Sequence, residues 1–299
     1  MLPAPRRPPG LMMEPTERTA LNPSRIALAS LFLCIPSFSA EDAAPFTRDD
    51  YKLPGQTLPY ALFIPKTAAN ERYPLILWLD DDTPSVNKFR NSPGDTPQIS
   101  GSNRWGARLW VEPQVQASHR CFVLAPERAG KLSFFGGALW HYPANDLERY
   151  PTGGPSIRLS ESFDLILRLT SRYPIDPKRI YIVGQGGGAT GLWDLLDMQS
   201  DFFAGGIAAS GRLPGGLLDE AGDPRTRGKF ASTPVWIFHC GQDRTVSGFE
   251  TLTLATDLFS AGAAPRVTEV PGAGHDDACW QHIFTAEPDL VTWLFSQRR

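Results

Sequence analysis

Short apolar runs alternate with helical patterns along most of this chain. Runs of four or five residues, rich in β-branched and aromatic side chains, predict strands. The longer segments between them have helical spacing. This alternation predicts a mostly parallel sheet with helices on both faces, in a single domain. The predicted strands are Tyr60–Ile64, Leu75–Leu79, Cys121–Ala125, Ile180–Val183, Gly206–Ala209, Val235–His239 and Arg266–Val270.

Three predicted helices have one apolar face each. Over Ser160–Tyr173 the spacing places four residues on the buried face: Phe163, Ile166, Leu167 and Thr170. Over Gly248–Ala261 it buries Leu252, Ala255, Leu258 and Phe259. The last helix is predicted over Pro288–Ser296.

Three long loops follow predicted strands, at the sheet edge where α/β proteins place their sites. They run over Thr83–Arg104, Glu127–Ser156 and Arg212–Thr233. The second is rich in aromatic residues, and Trp140 and His141 within it are candidates for ligand contact. Its aromatic side chains form either the wall of a binding cleft or a small core that fixes the loop. Both interpretations remain open.

The amino-terminal part predicts export. Arg25 precedes the apolar run Ile26–Ile35, and small residues follow up to Ala40. A basic flank, a short apolar run and small residues are typical of a secretory signal peptide. The run is too short to favour stable insertion in a membrane. We therefore expect an extension with a signal peptide over residues 1–40, a folded domain over 41–299, and a secreted or periplasmic protein.

Composition narrows the picture only a little. A chain of 299 residues is long enough for one α/β domain with a sizeable core. A net charge of −3 gives no reason to expect a nucleic-acid partner. Cys34 lies within the predicted signal peptide, which leaves three cysteines. Cys121 is expected to be a small buried apolar residue. Cys240 and Cys279 are expected either to form a disulfide or to remain buried thiols.

The turn Gly184-Gln185-Gly186-Gly187-Gly188 joins an apolar strand to a helix. Such a strand-turn-helix, called a nucleophile elbow, can carry Gly-x-Ser-x-Gly, in which a sharp turn lifts a nucleophilic serine above the sheet. Here the middle position is Gly186, which has no side chain with which to attack an ester. The same motif does not recur elsewhere in the sequence.

Six segments follow one another along the chain: Tyr60–Pro65, Arg72–Leu79, Cys121–Pro126, Ile175–Tyr181, His239–Asp243 and Pro271–His275. In this order they resemble secreted esterases of the α/β-hydrolase superfamily, of the phospholipase/carboxylesterase and polyhydroxybutyrate-depolymerase-like type. The resemblance implies an α/β-hydrolase fold, with Asp243 as the acid and His275 as the base of a catalytic triad. It also implies that the backbone N–H of Gly187 contributes to an oxyanion hole, and it calls for no cofactor and no metal.

Two departures from that family set the functional hypothesis. Gly186 stands where serine is expected, and Asp80-Asp81-Asp82 stands where the family has His-Gly in the oxyanion hole. We expect a non-catalytic protein that binds a small or polymeric ester or glycan in the former cleft, with Asp80 and Asp81 in contact with the ligand. The alternative is an ester hydrolase with an unconventional mechanism. A third possibility, a partner-binding protein, would present an apolar surface away from the cleft.

Other chemistry receives weaker support from the sequence. Ser210, Ser247 and Cys240 lie near strand ends, but none lies on an elbow. The acids at 80–82, 243 and 276–277 converge with His275 at one sheet edge, which would suit a hard cation such as calcium. Asp commonly caps turns and helices instead. The spacing matches no known metal loop, so we expect solvated acids and no metal.

Overall fold

In the computed structural model, described over residues 46–81, 103–126, 141–142, 154–212 and 232–299, eight strands form one sheet. The described residues lie in a compact unit that spans Ala43–Arg299. The predicted signal peptide, Asp82, Trp140 and most of the three long loops lie outside the described residues.

The sheet is mostly parallel, as predicted. Its strand order is β1-β2-β4-β3-β7-β8-β9-β10, with antiparallel pairing only between β1 and β2 and between β2 and β4. Two-residue strands β5 and β6 form a separate antiparallel pair. The strands are β1 (Thr47–Leu53), β2 (Gln56–Phe63), β3 (Tyr73–Leu79), β4 (Phe122–Pro126), β5 (His141–Tyr142), β6 (Gly154–Pro155), β7 (Ile175–Gln185), β8 (Gly205–Ala209), β9 (Val235–Cys240) and β10 (Arg266–Val270).

Helices cover both faces of the sheet. Because side chains alternate along a strand, β3 sends Leu75, Leu77 and Leu79 to one face and Ile76 and Trp78 to the other. The first face packs against α3, α4 and α5, and the second against α1, α6 and α7. The helices are α1 (Asn103–Leu109), α2 (Pro113–Ser118), α3 (Ile157–Arg172), α4 (Gly187–Met198), α5 (Gly248–Ser260), α6 (Asp277–Gln281) and α7 (Leu290–Ser296), with a π-helical turn over His282–Ala286.

The predicted buried faces of two helices were partly wrong. In α5, Leu252 is 64% exposed and Phe259 is 73% exposed. The buried stripe of α5 is Thr251, Leu254, Ala255 and Leu258, which follows the i, i+3, i+4, i+7 spacing one residue away from Leu252 and Phe259. In α3, Leu167 is 47% exposed, and the core-facing stripe instead includes Leu159, Leu165, Ile166 and Leu169.

Across the described parts of the chain, we find no helix that is long and apolar enough to cross a membrane.

Candidate functional site

The carboxyl ends of four strands of the sheet, in two neighbouring pairs separated by β8, bring the predicted site residues together. Asp81 follows β3, Gly186 follows β7, Asp243 follows β9 and His275 follows β10. Parallel pairing of β3 with β7, and of β9 with β10, aligns these ends at one edge of the sheet. The order of strands thus places residues almost 200 positions apart in a single site.

Gly186 forms the turn between β7 and α4. Its φ is 54° and its ψ is −120°, a conformation that L-residues rarely adopt. The turn is held by a hydrogen bond from the Gly186 N–H to the Ala209 carbonyl oxygen at 2.9 Å. The sharp strand-to-helix turn predicted from the glycines is therefore present, although position 186 carries no side chain.

The carboxylate of Asp81 lies where a side chain at position 186 would begin. A Cβ atom built on Gly186 would be 2.2 Å from Asp81 Oδ1 and 2.4 Å from Asp81 Cγ. Asp81 is only 1% exposed, so this position is deep in the site. A glycine at 186 and an aspartate at 81 are therefore spatially complementary, a relation that the sequence alone does not predict.

One oxygen of Asp81 also binds the amide that was predicted to serve the oxyanion hole. The Gly187 N–H donates a hydrogen bond to Asp81 Oδ1 at 3.1 Å. Gly187 is the first residue of the twelve-residue helix α4, whose amino terminus favours negative charge. Asp81 Oδ1 thus takes the place that the oxygen of a bound ester would need in order to reach this N–H group.

Asp243 and His275 form a hydrogen-bonded pair. His275 Nδ1 and Asp243 Oδ2 are 2.7 Å apart, and both side chains are almost completely buried. The other ring nitrogen, His275 Nε2, lies 3.8 Å from Asp81 Oδ2. The imidazole therefore stands between two carboxylates, as a triad base would stand between its acid and its nucleophile.

Backbone donors hold Asp243 in place. Asp243 Oδ1 accepts hydrogen bonds from the N–H groups of Thr245 at 2.7 Å and Val246 at 2.8 Å. Burial opposes ionisation, but the bonds from Val246, His275 and Thr245 outweigh it, so the pKa of Asp243 lies below its ordinary value. The rings of Trp280 and His275 pack at nearly a right angle, with their planes at 86° and their centroids 5.0 Å apart.

A disulfide connects the segments that carry this pair. Cys240, three residues before Asp243, is bonded to Cys279, four residues after His275, with Cα atoms 5.9 Å apart. The question that the sequence left open is settled in favour of the disulfide. Cys121 is fully buried, as predicted, and burial raises the pKa of its thiol to about 12.

The side chains considered as substitute nucleophiles have other roles. Ser210 is 1% exposed; its hydroxyl accepts a hydrogen bond from the Cys240 N–H at 3.0 Å and contacts the Cys240 sulfur at 3.2 Å. The Ser247 hydroxyl caps α5 by accepting a bond from the Phe249 N–H at 3.2 Å. Cys240 is not a thiol, because it lies in the disulfide.

The remaining predicted site residues are spread around this centre. Asp80, which follows the last residue of β3 in the sequence, is partly buried. His141 lies in β5, and the β5–β6 pair lies beside α4. Asp276 is exposed and caps α6, since its Oδ1 accepts bonds from the N–H groups of Ala278 and Cys279. Within the described ranges, no three His, Cys, Asp or Glu side chains are grouped to hold a metal ion.

Solved structures with a similar fold include esterases and a peptidase. A thermostable esterase has 27% sequence identity and a TM-score of 0.68; the match covers 85% of this chain and 63% of that one. A ferulic acid esterase has 14% identity and a TM-score of 0.58 over 84% of this chain and 98% of that one. An acylaminoacyl peptidase from Pyrococcus horikoshii has 14% identity and a TM-score of 0.59 over 85% of this chain and 42% of that one.

No protein-family model matches the chain, and no curated protein does. The chain spans less than two thirds of the thermostable esterase that it resembles. The eight-stranded, mostly parallel sheet and these neighbours confirm the α/β-hydrolase fold, of an esterase-like kind.

Proposed function

We propose that this esterase-like protein binds a ligand at the site around Asp81 and His275 and does not hydrolyse carboxylic esters. The observation that carries the proposal is the position of the Asp81 carboxylate, which fills the space beside Gly186. In our interpretation Gly186 replaces the nucleophilic serine of the family. Without a hydroxyl at 186, no acyl-enzyme can form there, and Asp243 with His275 has no serine to activate.

The surroundings of Gly187 support the same conclusion. An ester hydrolase stabilises the negative oxygen of its intermediate with preorganised donors, and the loss of one donor costs roughly 3–4 kcal/mol. The Gly187 N–H is already bonded to Asp81 Oδ1. A carboxylate at this point removes a donor and adds charge of the same sign as the developing oxyanion.

A small or polymeric ester or glycan is the proposed ligand. This rests on analogy with the fold's esterase neighbours, including one described as a ferulic acid esterase. Asp80, Asp81, Trp140 and His141 are the residues that we propose for ligand contact. The proposal requires neither a cofactor nor a metal, and no nucleic acid.

Ester hydrolysis by an unconventional mechanism is the alternative. The hydrogen bond of 2.7 Å between His275 and Asp243 favours it, because a base oriented in this way could activate water.

We also propose that the protein is exported and that residues 1–40 contain its signal peptide. The support is the apolar run Ile26–Ile35 behind Arg25, with small residues up to Ala40. Mass spectrometry of the mature protein should then find a terminus close to Glu41. A mature chain that still carries Arg25 would refute export by this route.

The hydrolysis of p-nitrophenyl butyrate tests the functional proposal. We expect the wild-type protein and a His275→Ala variant to give the same rate, equal to that of buffer. A wild-type rate clearly above that of the variant would establish the alternative. In parallel, methyl ferulate should raise the Tm without being consumed, because a ligand bound only by the folded state stabilises it.

A further inference from the structure

We infer that Asp81 is itself a nucleophile, and that this site attacks saturated carbon atoms bearing an anionic leaving group, such as alkyl sulfonates, phosphates or halides. This goes beyond the proposed function, since it assigns a reaction that involves no acyl transfer. Its test is independent of whether the protein hydrolyses carboxylic esters.

The position of Asp81 is the first support. Its Oδ1 lies 2.2 Å from the point where the side chain at 186 would begin, so the carboxylate replaces a side chain at the elbow. It reaches that place from the end of β3 rather than from the turn itself. The glycine at 186 leaves the room that it occupies.

The two oxygens of Asp81 have different surroundings. Oδ1 accepts the hydrogen bond from the Gly187 N–H at 3.1 Å, at the amino end of α4. Oδ2 lies 3.8 Å from His275 Nε2, on the side of the base. If Oδ2 became alkylated, Oδ1 would be the carbonyl oxygen of the resulting ester, already bonded to a backbone donor.

A carboxylate nucleophile is better suited to attack on saturated carbon than to attack on an acyl group. A carboxylate that attacks an ester gives a tetrahedral intermediate from which the carboxylate itself departs more readily than an alkoxide, so the reaction reverts. Attack on saturated carbon forms a stable alkyl ester instead. Covalent intermediates on Asp and Glu are an established form of nucleophilic catalysis.

In the first step, Asp81 Oδ2 forms a bond to the substrate carbon as the bond between that carbon and the leaving group breaks. The leaving group departs with the electron pair. The Asp81 side chain is 2% exposed, so few water molecules must be displaced before attack. The product of this step is an alkyl ester of Asp81 and a free anion.

In the second step, His275 Nε2 takes a proton from a water molecule whose oxygen attacks Asp81 Cγ. Asp243 keeps the imidazole oriented through the bond of 2.7 Å. The negative charge develops on Oδ1, opposite the Gly187 N–H. Collapse of the intermediate breaks the bond between Cγ and Oδ2, and the departing alkoxide takes the proton from His275. The new carboxylic acid releases a proton to solvent, so the balance is alkyl compound plus water giving alcohol, anion and proton.

Methyl p-nitrobenzenesulfonate is a suitable probe because its methyl group is small and its leaving group is a sulfonate. The full-length wild-type protein and a His275→Gln variant are treated with it, digested and mapped by mass spectrometry. The variant retains a polar side chain of similar size but lacks the base. We expect a methyl ester on Asp81 to accumulate in the variant to about 100-fold the wild-type level, the scale of general base catalysis.

Two controls make the test specific. Asp50 is an exposed carboxylate on β1 and reports background methylation in the same digest. An Asp81→Asn variant, nearly identical in shape, should lose the modification. When the wild type turns over in water labelled with heavy oxygen, the Asp81 carboxylate should acquire the label. The original Oδ2 leaves with the alcohol, and an oxygen atom from water replaces it.

Methylation of Asp81 no faster than that of Asp50 in the His275→Gln variant would overturn the inference, as would methylation of His275 alone in the wild type. The inference does not depend on the folding of Asp81→Asn, since the His275→Gln map decides it. The proposed function has its own readout, because p-nitrophenyl butyrate hydrolysis would remove that proposal whether or not Asp81 is methylated.

Discussion

The overlap between position 186 and Asp81 predicts a specific loss of stability when Gly186 is replaced by alanine. Two costs add. An L-residue at a φ of 54° costs about 1–3 kcal/mol. Forcing a Cβ atom to within 2.2 Å of Asp81 Oδ1 requires the carboxylate to move, and overpacking of this kind costs about 1–3 kcal/mol. The expected loss for Gly186→Ala is therefore about 2–6 kcal/mol of unfolding free energy.

Gly55 provides the matched control. Its φ is 77°, but a Cβ atom there would meet nothing within 4 Å. Gly55→Ala should therefore lose only the backbone contribution, about 1–3 kcal/mol. A second comparison removes the obstacle instead. In an Asp81→Gly background, the cost of Gly186→Ala should fall towards that of Gly55→Ala, a departure from additivity expected only for residues in contact.

Urea denaturation of the four variants and the wild type, fitted with a common slope, gives these free energies. The reasoning would be refuted if Gly186→Ala cost no more than Gly55→Ala. It would also fail if its cost were unchanged in the Asp81→Gly background.

Two further predictions concern the disulfide and Asp243. Replacing both Cys240 and Cys279 by serine opens a loop with a sequence separation of 39 residues, and the loss of unfolding free energy in urea should be about 4 kcal/mol on the chain-entropy model. Because the folded-state pKa of Asp243 lies below its ordinary value of 3.8, its stabilisation is present above that value and is lost as the pH falls through the folded pKa. The stability difference between wild type and Asp243→Asn should thus shrink as the pH falls below 3.8, and a constant difference would contradict the assignment.

The apolar pattern predicted the parallel strands well because most of them are buried on both faces and consist of continuous apolar residues. It missed β1, whose residues are mainly exposed and polar. An edge strand of this kind has no apolar face for periodicity to detect. The face of α5 was wrong for a related reason. Leu252 and Phe259 lie one residue from the buried stripe, and the sequence cannot fix how wide a stripe the sheet covers.

Local segments of the sequence predicted Gly186, Asp243 and His275 as site residues and marked the acids after β3 as a departure, and the structure places these positions at one edge of the sheet. It could not show that the Asp81 side chain turns into the space beside Gly186, because that depends on how the β3 and β7 ends lie side by side. The sequence did contain one signal, namely the small residue Gly186 at one position and the added carboxylate of Asp81 at the other. Taken together, these two substitutions indicate that the side chain gained at position 81 fills the space of the side chain lost at position 186, rather than two separate losses.

Labelling with a fluorophosphonate probe tests most directly the claim that Asp81 occupies the place of a missing nucleophile. The wild-type protein should remain unlabelled, and so should Gly186→Ser alone, because the Asp81 carboxylate stands 2.2 Å from the Cβ position. The triple variant Asp80→His, Asp81→Gly, Gly186→Ser should become labelled at position 186, since room, nucleophile and donor region are restored together. Labelling of the wild type at any residue near His275 other than Asp81 would contradict the account.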